Sequence, residues 1–272
     1  MFYILLRPSW IIMLFFIANI VMFAPFERQN MAYADEAALK LSDSINVAGR
    51  QRMLTQRIVK FYYMIGLNVQ KETSIKELQK TLDLFNRQLR QLEHIQGVDQ
   101  ALISKHLQSI QAAWQPVEKL ARAIPTINSA PEIREKTDTL LALSNDFVLA
   151  LEASKVSTET ALVNTSGRQR MLSQRIASFY MERVWQVENK NLAQELAGAI
   201  SDFNFALGTL LESEKNTPQI TKLLGQVERQ WHAFTAINKL RNLAYAQPAM
   251  VSDSAETILS LMNEITGLYA GL

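Results

Sequence analysis

Apolar residues recur at three- and four-residue intervals along most of this chain. The stretch "ELQKTLDLFNRQLRQLEHI", residues 77–95, places Leu78, Leu82, Phe85, Leu89 and Leu92 on one face, the pattern of an amphipathic helix. Similar spacing predicts helices over roughly 36–70, 73–95, 99–123 and 131–155, with breaks at 71–73, at Gly97 and between Pro125 and Pro131. The second half is punctuated by Pro218 and Pro248, each at or near a predicted helix start. With 9 glycines and 7 prolines in 272 residues, long stretches hold neither. The chain therefore reads as all-α.

The second half repeats the first. "NVAGRQRMLTQRIVKFY" begins at Asn46 and "NTSGRQRMLSQRIASFY" at Asn164, an offset of 118 residues with 12 of 17 positions identical. The offset continues in Phe85-Asn86 and Phe203-Asn204, and in Leu89 and Leu92 against Leu207 and Leu210. Such self-similarity marks a duplicated structural unit. Four amphipathic helices with short loops form an antiparallel bundle, so the expectation is two tandem four-helix bundles, residues 35–155 and 156–272. Between Glu132 and Ser166 there is no Gly or Pro, so the last helix of the first copy is expected to run unbroken into the second. At 1.5 Å per residue that helix would be roughly 85 Å long and would stack the bundles end to end. A turn near "ASKVSTET" would instead set them side by side.

Sorting the first motif at about 100° per residue gives one stripe of Leu54, Ile58, Phe61 and Ile65, the predicted bundle core. Asn46, Gly49, Arg50, Met53 and Arg57 fall in an adjacent sector, while Arg52 lies nearer Gln56 and Tyr63. Asn164, Gly167, Arg168, Met171 and Arg175 repeat the sector, and Arg170 matches Arg52. No acid occurs between Ser44 and Lys71. A mid-helix glycine costs about 1 kcal/mol relative to alanine, and it admits close approach by a backbone or a ligand. Guanidiniums without local acids, beside a glycine, suit a small planar oxyanion that accepts paired N–H bonds. The same arginines could instead pair with acids on neighbouring helices, the glycine serving only to bring helices close. A packing role would tolerate Lys, yet both copies keep Asn, Gly, three Arg, Met and two Gln. Met53 and Met171 read as packing residues.

Composition narrows the function. There is no cysteine, and His94, His106 and His232 are scattered, so no thiolate, metal or nucleophile–base spacing stands out. Residues 10–26 are almost purely apolar, Arg7 precedes them, and Ala32-Tyr33-Ala34 supplies an A-x-A pattern before Asp35. That reads as a secretory signal peptide over residues 1–34, or as an N-terminal anchor if it is not cleaved. From Asp35 onward the chain has 26 basic and 25 acidic residues, without the broad positive field that attracts nucleic acid.

"NVAGRQRMLTQR" and "NTSGRQRMLSQR" resemble the P-box of the PilJ-type sensory domain, the extracytoplasmic N-terminal module of type IV pili methyl-accepting transducers. That domain is related to the nitrate/nitrite-sensing domain of the NarX and NarQ kinases, and the resemblance covers residues 35–272. It implies a four-helix bundle with the P-box on its first helix, and an anion held between two P-box helices at a dimer interface. The nitrate-sensor pattern Ala-Gly-x-x-Arg-Met-x-x-x-Arg falls on Ala48, Gly49, Arg52, Met53 and Arg57, and on Ser166, Gly167, Arg170, Met171 and Arg175. By the resemblance the last arginine contacts the anion, which points to Arg57 and Arg175 and leaves Arg52 and Arg170 in support. The sensors carry a Lys where this chain has Val47 and Thr165, and Arg50 and Arg168 are additional.

The expectation is a periplasmic, non-enzymatic sensory module without an output domain of its own, binding nitrate or nitrite and requiring neither cofactor nor metal. It would form a homodimer through the motif helices and present its ligand to a membrane receptor. The alternative is a ligand-free helical interaction module of a pilus or chemotaxis system.

Overall fold

In the computed structural model, which describes residues 39–155, 157–239 and 247–272, eight helices follow one another without a strand among the described residues. They are α1 (Leu41–Gly66), α2 (Lys71–Gln91), α3 (Gln100–Ala121), α4 (Ala130–Ser154), α5 (Thr158–Trp185), α6 (Leu192–Leu211), α7 (Pro218–Lys239) and α8 (Gln247–Ala270). The proposed signal segment lies outside the described residues. Among those described, no helix is long and apolar enough to cross a membrane.

The breaks fall where local chemistry demands them. Gly97 adopts φ +73°, a left-handed conformation that costs glycine little, between α2 and α3. Asp99 caps α3 by accepting from the Ala101 amide at 2.9 Å, and Pro131 sits in the first turn of α4. Leu39 pairs with the α2–α3 turn, its amide donating to the His94 carbonyl at 2.9 Å, and so ties the lead-in of α1 to its own bundle.

The expected continuous helix does not form. Lys155 is extended (φ −152°, ψ 96°), and Ser157 starts α5 with a capping box. Its hydroxyl accepts from the Thr160 amide at 3.2 Å while Thr160 Oγ1 accepts from the Ser157 amide at 3.1 Å. A reciprocal cap satisfies two orphan amides and needs neither Gly nor Pro. The chain therefore changes direction between α4 and α5, and the bundles stand side by side, packed through α1 and α5 within one compact body.

Each set of four helices packs together, and their buried apolar residues join in one continuous core. The predicted stripe Leu78, Leu82, Phe85, Leu89 and Leu92 is buried, as are Leu54, Ile58 and Phe61. Trp114 stacks on Phe85 with centroids 4.0 Å apart and donates to Asn86 Oδ1; Trp231 stacks on Phe203, also at 4.0 Å, and donates to Asn204 Oδ1. The duplication is thus reproduced in three dimensions, despite a one-residue slip in the tryptophans.

The central helices differ from the outer ones. α1 packs against α2 and α4 on one side and against α5 and α8 on the other, so it is buried nearly all round. α5 is buried in the same way by α6 and α8 and by α1. The two run parallel and in register: Gly49 lies opposite Gly167, and further along Tyr63 meets the Trp185 ring at 5.6 Å. The motif helices expected to pair across two chains pair here within one.

Two ion-pair networks latch the bundles together. In the first, Arg57 on α1 contacts Glu77 on α2 at 2.8 Å and Glu256 on α8 at 2.7 Å, while the fully buried Lys60 reaches Glu256 at 2.5 Å. In the second, Arg134 on α4 pairs with Asp138 at 2.7 Å, with Glu182 on α5, and with Glu195 on α6 at 2.9 Å; Arg175 lies 3.4 Å from Asp138. Burial alone would raise the Glu256 pKa, but Lys60 and Arg57 outweigh it and hold the carboxyl at about 2. Burial pushes Lys60 down to about 8 despite Glu256.

Two outcomes follow. Small-angle scattering should give the 37–272 body a radius of gyration near 18 Å, the value for a compact chain of about this size; an end-to-end rod about 85 Å long would give roughly 25 Å. Glu256→Gln should lower stability by about 3 kcal/mol, because it leaves the fully buried Lys60 without its carboxylate partner while Arg57 keeps Glu77. Since the folded-state pKa of Glu256 lies below its ordinary 4.5, its contribution is complete above that value and fades as pH falls toward 2. Denaturant titrations of wild type and Glu256→Gln from pH 7 to pH 2.5 should therefore converge at the acid end. A gap that stays constant would contradict the assignment.

Candidate functional site

The motif residues meet where α1 crosses α5. Arg52 donates from Nη1 to Asn145 Oδ1 at 3.0 Å, and from Nη2 to Asn164 Oδ1 at 2.8 Å and its carbonyl at 3.4 Å. Arg170 mirrors this. Its Nη1 donates to Asn46 Oδ1 at 2.9 Å and Asn263 Oδ1 at 3.1 Å, and its Nη2 to the Asn46 carbonyl at 3.2 Å. Each guanidinium thus crosses to the other copy's motif asparagine, and each is steadied by an asparagine from the last helix of its own bundle.

Both arginines are buried, with 2% and 0% of their surface exposed, and among the described residues no carboxylate hydrogen-bonds to either. Each leaves its Nε without an acceptor. Burial lowers the Arg52 pKa to about 10, Arg168 adding to the effect and Glu152 opposing it. Burial drives Arg170 well below the ordinary arginine range, with Arg50 and Arg52 adding their repulsion. The site is a concentration of positive charge in a place that solvent does not reach.

The glycines explain how two guanidiniums fit there. A Cβ on Gly49 would stand 3.3 Å from Arg52 Nη2 and 3.4 Å from Arg170 Nη2; one on Gly167 would stand 3.1 Å from Arg170 Nη2 and 3.5 Å from Arg52 Nη2. Both Nη2 atoms therefore reach both glycines, and the missing side chains make the room they occupy. Around them Gln51 donates to the Phe85 carbonyl at 3.4 Å and Gln169 to the Phe203 carbonyl at 2.9 Å, tying each motif to its bundle's second helix. Met53 and Met171 are buried in the apolar core.

The remaining motif arginines lie elsewhere. Arg57 and Arg175 belong to separate ion-pair networks five residues further along each helix, so the structure does not bring them together. Arg168 is exposed and pairs with Asp202 at 2.7 Å. Arg50 is half-buried; among the described residues it has neither a hydrogen-bond partner nor an ion-pair partner.

Asn145 and Asn263 were not singled out in the sequence. They stand 118 residues apart, the same offset as the motifs, as do Glu77 and Glu195. An identical polar pair at the repeat offset, outside the motif, is the signal that identifies them. Among the described residues no group of histidines or carboxylates is arranged to hold a metal ion.

No curated protein and no solved structure matches this chain. One family does match, twice, over residues 35–140 and 153–263, each stretch containing one motif and its helices. That family is described as the type IV pili methyl-accepting chemotaxis transducer N-terminal domain, PilJ, and this chain belongs to it as two tandem copies.

Proposed function

We propose that the chain is an extracytoplasmic sensory module that holds one small planar oxyanion, nitrate or nitrite, between α1 and α5, and reports its presence to a membrane receptor of a pilus or chemotaxis system. The family supplies the sensory role. One observation carries the ligand: two buried guanidiniums converge on facing glycines, with unsatisfied Nε groups and no carboxylate hydrogen-bonded to them. Such a charge pair is costly unless an anion joins it. Planar guanidiniums favour an anion that accepts two coplanar N–H bonds.

In this reading Arg52 and Arg170 are the contacts, Asn46 and Asn164 orient them, and Gly49 and Gly167 let both guanidiniums reach the crossing. Arg57 and Arg175 are already engaged by carboxylates and act as latches between the bundles. Anion binding would pull α1 and α5 together at the glycines while the latches hold them further along. A change in the register of the two bundles is then the signal a partner could read.

Thermal melts test this. Nitrate or nitrite at about 100 times Kd should add about 2.7 kcal/mol of stability, a rise of roughly 5–10 °C for a chain of this size. Arg170→Gln should abolish the rise without lowering the anion-free melting temperature, because it removes an uncompensated buried charge. Gly167→Ala should also blunt the response, since its Cβ would crowd Arg170 Nη2, while helix content stays unchanged. A full nitrate response in Arg170→Gln would exclude this site. Destabilisation of Arg170→Gln with no anion response in wild type would favour a ligand-free packing role.

A further inference from the structure

The duplicated motifs are symmetric in sequence, but their surroundings are not. On one flank of the crossing, Arg52 lies with Asn164, Glu152, Arg168 and Asp202. Glu152 accepts from Asn164 Nδ2 at 2.5 Å and offsets the charge of Arg52, while Asp202 takes Arg168 at 2.7 Å. The other flank holds Arg170, whose Nη1 donates to Asn46 Oδ1 at 2.9 Å and whose Nη2 lies 3.4 Å from the Cβ position of Gly49, the residue before Arg50. At the repeat offset of 118, the counterpart of Glu152 is Ala270 and the counterpart of Asp202 is Leu84. Both acids of the first flank are thus apolar residues on the second. Arg50 keeps a buried Nε with no acceptor, and the groups that act on Arg170 are both cations, Arg50 and Arg52.

From this we infer that the two copies have divided the labour, and that the anion is bound on the Arg50–Arg170 flank rather than symmetrically between the motifs. Arg170 receives it at the glycines. Arg50, half-buried at the margin of the same flank, supplies the second guanidinium and the side from which the anion is loaded. Arg168, its counterpart, is a satisfied surface ion pair and takes no part. Arg52 remains fixed by its two asparagines and the neighbouring carboxylate. One copy contributes Arg50 and the other Arg170, so neither bundle alone holds the ligand. This inference rests on the anion-binding reading above and moves its second contact from Arg52 to Arg50.

Isothermal titration of the full exported chain with sodium nitrate and, separately, sodium nitrite discriminates between the flanks. Arg50→Gln should weaken binding by about tenfold or more, the effect of losing one charge-assisted contact. Leu84→Asp should do the same by giving Arg50 the partner that Arg168 has. Arg168→Gln should stay within about twofold of wild type, because an exposed ion pair contributes little. If Arg168→Gln weakens binding as much as Arg50→Gln, or if neither Arg50→Gln nor Leu84→Asp changes it, the lopsided site is wrong while anion binding stands. If the wild-type chain binds neither anion, the anion-binding reading fails and this inference with it.

Discussion

Two guanidinium groups are buried where two helices cross, and neither is hydrogen-bonded to a carboxylate. Like charges at this separation repel by roughly 2–4 kcal/mol at an effective dielectric of about 20, and desolvation adds to that. The surrounding architecture accommodates this penalty. Glycines at 49 and 167 make the space, four asparagine side chains and two of their carbonyls accept the Nη hydrogens, and apolar residues pack along the rest of α1 and α5. The ion-pair latches reinforce it further along, where Arg57 and Arg134 bind carboxylates from both bundles. Charge is balanced at the latches and left unbalanced at the crossing.

Duplication within one chain changes what such an interface can do. Two identical chains meeting at a two-fold axis must present the same groups from both sides. A tandem copy is free to diverge, and here the divergence is concentrated around the motif rather than in it. At the repeat offset Glu152 corresponds to Ala270 and Asp202 to Leu84. Pairing within the chain also removes the dependence on protein concentration that a dimeric sensor carries.

Much of the fold was legible in the sequence, because the outer helices obey a single-sided pattern. The α2 stripe from Leu78 to Leu92 and the breaks at Gly97 and Pro131 are local signals that tertiary packing did not override. α1 and α5 were read less well for one physical reason. Each is buried on two sides, so a helix assumed to face one core has a second face that looks like surplus polarity. Arg52, Gln56 and Lys60 lie on that face, and all are buried. The sector carrying Arg57 was expected to hold the ligand, but Glu77 and Glu256, distant in sequence, occupy its guanidinium. The α4–α5 turn was hidden because a Ser–Thr capping box ends a helix without Gly or Pro.

The account stands on the claim that both motifs build a single site. Counting ligands tests it most directly, by native mass spectrometry or calorimetry of the wild-type chain at saturating nitrate. The account predicts one nitrate per chain, lost with Arg170→Gln and weakened by Arg50→Gln. Two independent nitrates per chain, one surviving each of those substitutions, would show that each bundle carries its own site and would contradict it.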